Sequence, residues 1–289
     1  MTRISDLLAE GRTLSVELWP PRSEAAESRL EAALAEIESV LAPAFYSITY
    51  GAGGSTRERT HDLVVRLRNE AGGTAMAHLV CAAHSRAELA EILERYRAAG
   101  VDNILALKGD PPLDAEESLQ PGELSYAGEL VTLAKSVGDF CVAVAAHPEG
   151  HPRSPDRASD RRFLAAKLEV ADFAITQFFF KSEDYFSLVD ELGRLGVDKP
   201  VLPGIMPITN PRTLAKMAEM SGSAVPEELA RRIDAVAGEP GEVAKIGVEV
   251  ATTLGAELLE GGAPGLHFYT MNVSAATVAV CRNLGIAVR

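Results

Sequence analysis

The chain has 289 residues, 47% hydrophobic and 24% charged, which is enough apolar material for a sizeable core and excludes an intrinsically disordered chain. Its formal net charge of −13 argues against a nucleic-acid partner, because affinity for a phosphate backbone is carried by Lys and Arg; a small anionic ligand needs only a local positive site. No run approaches the roughly 18 apolar residues of a membrane span, no signal-peptide core lies within Met1 to Arg12, and Cys81, Cys141 and Cys281 show no C-x-x-C spacing, so the expectation is a cytoplasmic protein with no membrane partner, disulfide framework or metal site.

The first apolar run, Leu14–Trp19, reaches a carboxylate, Glu17, and then stops at Pro20-Pro21-Arg22. Proline cannot donate to a sheet ladder, and it pushes the residue before it out of the helical region, so Glu17 falls near the C-terminal end of a buried strand. Two readings stand. Burial raises the pKa of such a carboxyl and makes it an acid near neutral pH; alternatively it pairs with a nearby cation such as Arg22.

Seven further runs follow: Phe45–Thr49, Thr74–Val80, Asn103–Leu107, Cys141–Ala145, Phe173–Gln177, Val201–Ile205 and Leu266–Tyr269. Most are continuous rather than alternating, as strands buried on both faces should be. Amphipathic segments separate them. Ser55-x-x-Glu58 reads as a capping box opening a helix with Leu63, Val64 and Leu67 inward. Ser85-x-x-Glu88 opens another, carrying Leu89, Ile92, Leu93 and Tyr96 and closed by Gly100. Tyr185, Val189, Leu192 and Gly196 repeat the helical spacing. So do Val243, Ile246, Val250, Leu254 and Leu258, ended by Gly261-Gly262. Gly109 to Gly122 and Pro148 to Ser159 read as irregular loops after the fourth and fifth strands. Eight strand–helix units without a G-x-G-x-x-G imply an α/β fold of the (β/α)8 barrel type, as a single catalytic domain over residues 1–289.

In such a barrel the functional groups stand at the C-terminal strand ends. Those ends carry Glu17, Thr49-Tyr50-Gly51, His78, Lys108-Gly109-Asp110, His147 through His151, Gln177, Pro203-Gly204 and Tyr269 through Asn272. Taken singly, His78 reads as a hydrogen-bonded wall residue and Gln177 as a strand-edge cap. His78, His147 and His151 with Glu17 suggest a metal site, but a binuclear barrel hydrolase carries His-x-His on its first strand, where this chain has Glu17. Lys108 as a Schiff-base lysine is weakened by Gly109-Asp110-Pro111-Pro112, which reads as the start of a loop.

In this order the strand ends resemble the methylenetetrahydrofolate reductase family. The likeness runs from Val16 to Gly285. It rests on Glu17 before Pro20-Pro21-Arg22, Thr49-Tyr50-Gly51-Ala52, Ala77-His78-Leu79, Gly109-Asp110-Pro111-Pro112, Pro148-Glu149-Gly150-His151-Pro152, Ile175-Thr176-Gln177-Phe178-Phe179-Phe180, Pro203-Gly204-Ile205-Met206-Pro207 and His267-Phe268-Tyr269-Thr270-Met271-Asn272. The resemblance implies a barrel enzyme that reduces 5,10-methylenetetrahydrofolate to 5-methyltetrahydrofolate. Glu17 matches the general acid that opens the imidazolidine ring, and Asp110 matches the acidic residue that anchors the pterin near the flavin. Thr49, Asp110, Gln177 and Tyr269 match substrate contacts. Thr49, His78, Leu107, Lys108, Gly109, Asp110, Tyr126, Ala127, His147, His151, Asp160 and Lys167 match cofactor contacts. NADH, as in single-domain bacterial members, is the implied hydride donor.

In most of the family the hydride passes through FAD, and here the departures cluster. Lys108 stands where Arg is usual, and His147 where an aromatic is usual. The family's Asn-Leu-Lys-x-Lys stretch, which contacts the flavin's ribityl and pyrophosphate groups, is Phe163-Leu164-Ala165-Ala166-Lys167. Of that face only Lys167 and Asp160 remain, and Arg161 and Arg162 point about 100° per residue away from it. Met217 replaces an aromatic, and Val273 replaces an Arg after Asn272. One reading is drift, with FAD still bound through backbone amides. The other, which the sequence favours, is that FAD is absent or weakly held and NADH passes hydride directly to the folate. A folate- or nucleotide-binding barrel without catalysis is the third alternative. Retention of Glu17, Asp110 and Gln177 speaks against it, because binding alone does not need the acid. The oligomeric state stays open.

Overall fold

A computed structural model describes residues 2–51, 56–70, 73–109 and 122–286. Eight parallel strands follow one another around a closed barrel: β1 (Thr13–Leu18), β2 (Phe45–Ile48), β3 (Ala75–Val80), β4 (Asn103–Leu107), β5 (Cys141–Ala146), β6 (Phe173–Phe178), β7 (Val201–Ile205) and β8 (Gly265–Tyr269). The last pairing, β8 on β1, sets Glu17 beside Tyr269. Helix α1 (Ile4–Glu10) precedes β1. The outer ring is α2 (Glu24–Val40), α3 (Arg57–Glu70), α4 (Arg86–Ala98), α5 (Ala127–Val137), α6 (Arg157–Val170), α7 (Ser182–Arg194), α10 (Pro240–Glu260) and α11 (Ser274–Asn283). Two extra helices, α8 (Pro211–Ser221) and α9 (Glu227–Ala235), lie between β7 and α10. The expected barrel is thus observed, with each strand within one residue of its expected limits at either end. None of the described helices is long and apolar enough to cross a membrane.

Side-chain alternation divides the core into layers. Along β1, Leu14, Val16 and Leu18 turn outward into the apolar layer shared with the helices, so Ser15 and Glu17 turn into the barrel. The lower interior is packed by Phe45, Met76, Leu105, Cys141, Ala143, Phe173, Ile175 and Leu202, and closed from below by Ile4 and Leu8 of α1. Hydrogen bonds from the Ile4 N–H to Asn103 Oδ1 (2.9 Å) and from Asn103 Nδ2 to the Thr2 carbonyl (3.1 Å) fasten that plug. The upper interior is polar: Ser15, Glu17, Ser47, His78 and His267 are all buried there. All three cysteines are buried and unpaired, and Cys141 belongs to the lower layer as expected.

Some helix details differ from expectation. The Ser85–Glu88 capping box forms as expected, but Ser55 lies outside the described residues. On α7 the inward residues are Tyr185, Leu188 and Leu192; Val189 is exposed and Gly196 lies past the helix end. A three–four spacing alone cannot tell Leu188 from Val189, whereas burial against the barrel selects one face. The loop after β5 is shorter than expected, because Asp156 caps α6 by accepting from the Ser159 N–H (2.7 Å), which places Ser159 inside the helix.

Candidate active site

Glu17 sits one residue before the end of β1, on its inner face, and is 8% exposed. Its Oε1 accepts from the indole Nε1–H of Trp19 at 3.3 Å, and its Oε2 lies 3.7 Å from His78 Nε2. Burial pushes the Glu17 carboxyl up to about 8, with the Trp19 bond opposing the rise. Burial pushes His78 down to about 3, so the two meet as neutral groups at neutral pH rather than as an ion pair. His78 Nε2 is 2.6 Å from Ser47 Oγ, the arrangement of a hydrogen-bonded wall residue. His267 is likewise held low, to about 3, and lies 2.8 Å from Ser15 Oγ through its Nδ1. The described close partners of Glu17 are an indole and an imidazole that burial holds neutral.

Tyr269, beside Glu17 across the β1–β8 ladder, donates its hydroxyl to the Thr176 carbonyl at 2.6 Å. Its ring fills the space over Gly204, where an added Cβ would come within 2.5 Å of ring carbon Cε2 and 2.4 Å of the Thr176 carbonyl oxygen. Gln177 stands at a register irregularity between β6 and β7, and its Oε1 accepts from the Phe178 N–H at 2.9 Å. Thr49 extends β2 through its N–H to the Leu18 carbonyl, and Thr60 Oγ1 donates to the Thr49 carbonyl. Glu17, His78, Gln177, Tyr269 and Thr49 therefore all belong to the C-terminal end of the barrel. Asp110, expected both as pterin anchor and as cofactor contact, lies outside the described residues.

Of the residues expected to meet a cofactor, Thr49 and His78 stand with Glu17 at β2 and β3, and the other described ones fall on the β4–β5–β6 side of the mouth. Leu107 is half-buried at the end of β4. Gly109 takes a left-handed φ of +90°, and a Cβ there would come within 2.9 Å of Ala82 Cβ. Lys108 is exposed, its Nζ 5.6 Å from the centroid of the Tyr126 ring, which itself projects into solvent; Ala127 is buried at the start of α5. His147 and His151 meet edge to face at 4.6 Å, and burial, then the neighbouring His151, pushes His147 down to about 4. Among the described residues no group of three His, Cys, Asp or Glu side chains is placed to hold a metal ion.

The cationic groups of α6 are engaged within the protein. Arg161 is buried, bonded to Asp160 and Glu191 (both 2.7 Å) and to the carbonyls of His147 (2.9 Å) and Pro148 (2.5 Å). It fastens the loop after β5 to its own helix. Lys167 Nζ donates to the Ala145 carbonyl at 2.8 Å, and burial pushes its pKa down to about 8. Arg162 donates to Ser159 Oγ at 2.9 Å, and Phe163 is 59% exposed. The cationic side chains of this face thus have hydrogen-bond partners within the protein.

The sequence carries no reading of Trp19, whose indole N–H is the described hydrogen-bond donor to Glu17. Glu17 and Trp19 are two apart on one strand end and so share a face, and Trp19 is the chain's single tryptophan. That spacing, applied to a donor that reaches beyond its neighbours, was the available signal.

The architecture is a closed (β/α)8 barrel with a buried carboxyl among hydrogen-bonded polar groups at its C-terminal mouth, the end at which barrel enzymes carry their active sites. The model of the family described as Methylenetetrahydrofolate reductase matches residues 3–285. The 5,10-methylenetetrahydrofolate reductase of Pectobacterium carotovorum subsp. carotovorum is 36% identical over 96% of this chain and 92% of its own. Methylenetetrahydrofolate reductase (NADH) 1 of Arabidopsis thaliana is 32% identical over 98% of this chain and half of the plant chain. Among solved structures, a protein from Clostridium thermocellum described as binding two copies of 5-methyl-5,6,7,8-tetrahydrofolic acid superposes with a TM-score of 0.68 at 14% identity, over 97% of this chain and 98% of that one, a likeness of fold. The chain belongs to the methylenetetrahydrofolate reductase family, and it is an oxidoreductase of that family.

Proposed function

We propose that this chain, acting as one catalytic domain, reduces 5,10-methylenetetrahydrofolate to 5-methyltetrahydrofolate by taking hydride directly from NADH, with no resident flavin. The observation that carries the reading is Glu17, a carboxyl buried at the inner mouth of the barrel between the Trp19 indole and His78, where burial pushes its pKa up to about 8. Reduction consumes NADH and one proton. Glu17 gives its proton to the leaving nitrogen of the imidazolidine ring, the C–N bond opens to an iminium, and hydride from the nicotinamide adds to the iminium carbon. Gln177 and Asp110 hold the pterin, and Tyr269 walls the site.

One observation and one general argument support the flavin-free form. The α6 donors that would hold a flavin diphosphate are bonded within the protein. NADH, in contrast, leaves after every turnover and needs only the micromolar-to-millimolar affinity of an ordinary substrate. The NADH preference is supported by the name of the Arabidopsis relative.

The test pairs a visible absorption spectrum of the purified protein, with and without added FAD, with NADH oxidation in the presence of methylenetetrahydrofolate. A colourless protein that oxidises NADH and ignores FAD is the expected result. A bound flavin spectrum with turnover that follows flavin content would overturn direct transfer while leaving the substrate assignment standing. Folate binding without NADH oxidation under either condition would show a binding protein.

A further inference from the structure

Trp19 is held on both sides. Its backbone N–H donates to Asn272 Oδ1 and its carbonyl accepts from Asn272 Nδ2, both at 2.9 Å. The turn that supplies this clamp is strained: Met271 and Asn272 take left-handed φ values of 51° and 58°, tolerable for Asn but costly for Met. Thr270 completes the clasp, its Oγ1 donating to the Glu17 carbonyl at 2.6 Å and accepting from the Asn272 N–H at 3.2 Å. The end of β8 thus fixes both the backbone of the acid and that of the tryptophan beside it. Strain retained where structure over-determines it marks functional sites.

With its backbone clamped, the indole has one chemical option, since its N–H donates and never accepts. A bond to Glu17 Oε1 favours the carbonyl-like oxygen there and so the carboxyl proton on Oε2. We propose that Trp19 is a positioning residue for the reaction: its indole N–H holds the Glu17 carboxyl in one orientation, assigns the transferable proton to Oε2, and takes up the negative charge left on the carboxylate once that proton has gone. The inference rests on Glu17 being the acid of the proposed reaction. In the transfer the Oε2–H bond breaks and an N–H bond forms on the substrate, with the electron pair staying on the carboxylate.

The described groups facing Glu17 do not compete with it near neutral pH. His78 of β3 and His267 of β8 are held neutral by burial, and Tyr269 of β8 keeps its proton. Ser47 of β2 and Ser15 of β1 bond to the two histidines. An indole that bonds a carboxyl reports that carboxyl's charge in its own emission, and a chain with one tryptophan makes the signal unambiguous.

The experiment is a pH titration of tryptophan fluorescence on the whole protein, excited at the red edge of indole absorption, with Glu17→Gln as control. One step with its midpoint near 8 in the native chain, absent from Glu17→Gln, is expected. Trp19→Phe keeps an aromatic ring and removes the donor. Its high-pH limb of kcat should move upward by about 0.5–1 pH unit, roughly three- to tenfold in the ionisation constant, because the ionised carboxylate loses a stabilising bond. A flat titration, a step that persists in Glu17→Gln, or a limb unmoved in Trp19→Phe would overturn the proposal. Full turnover in Glu17→Gln would instead overturn the acid assignment beneath it, and that is measured separately from fluorescence.

Discussion

Replacing Glu17 with Gln should cost activity and raise stability, the second in a pH-dependent way. The folded-state pKa of Glu17 is raised by burial from 4.5 to about 8. Below about pH 4.5 the carboxyl is protonated in both folded and unfolded chains and contributes its full stability. Between the two values the unfolded chain ionises while the folded one holds its proton, so stability falls as pH rises, and the loss is complete above about 8. A displacement of this size corresponds to about 5 kcal/mol, which water at the barrel mouth screens to about 2–4 kcal/mol. Gln is neutral throughout and its Oε1 still accepts from Trp19. The assay is denaturant unfolding of both proteins near pH 5 and near pH 9. The variant should unfold with nearly native stability at the lower pH and be more stable by about 2–4 kcal/mol at the higher, while turnover drops about 10²–10⁴-fold. An equal stability difference at both pH values would refute the claim that Glu17 is a buried acid.

Two other substitutions test the frame of the site. Gly204→Ala places a Cβ against the Thr176 carbonyl and the Tyr269 ring, and the carbonyl cannot yield; we expect a loss of about 1–3 kcal/mol and a weakened KM for folate, and native values of both in unfolding and steady-state assays would refute the reasoning. Arg161→Met leaves Asp160 buried without its guanidinium partner and strips the donor from the His147 and Pro148 carbonyls; denaturant unfolding should show a loss of about 3 kcal/mol, and a change below about 0.5 kcal/mol would mean that the cluster is not structural.

The strand positions were legible because a barrel strand is buried on both faces, and continuous apolar runs such as Val201–Ile205 say so without alternation. Glu17 was legible because a carboxylate at the end of such a run has no apolar explanation. The capping box at Ser85 was legible because its two bonds are local. Less legible were features set by distant partners. The inward face of α7, Leu188 rather than Val189, depends on how the helix is rolled against the barrel. The burial of Arg161 depends on Glu191 and on carbonyls of the preceding loop, which no helical-wheel angle contains. The clasp of Trp19 by Asn272 closes across 253 residues of sequence and only because β8 returns to β1.

Arg161 also links the architecture to the chemistry proposed for it. A guanidinium that bonds Asp160, Glu191 and two loop carbonyls has most of its donors committed inside the fold, and releasing it to meet a diphosphate would strip the buried Asp160 of its direct ion pair. Lys167 is bound in the same way, its ammonium against the Ala145 carbonyl at a site where burial already disfavours the charge. Arg161 thus fastens the loop that carries His147 and His151, while Lys167 bonds the end of β5 and Arg162 its own helix. The opposite side of the mouth keeps Glu17, His78 and Tyr269 in a layer of neutral, hydrogen-bonded groups above the apolar plug. Proton donation depends only on that second side. On the proposed direct transfer the acid of one wall is independent of anion binding at the other, and the nicotinamide nucleotide, whose own diphosphate meets the same committed donors, is held only as a substrate that leaves after each turnover.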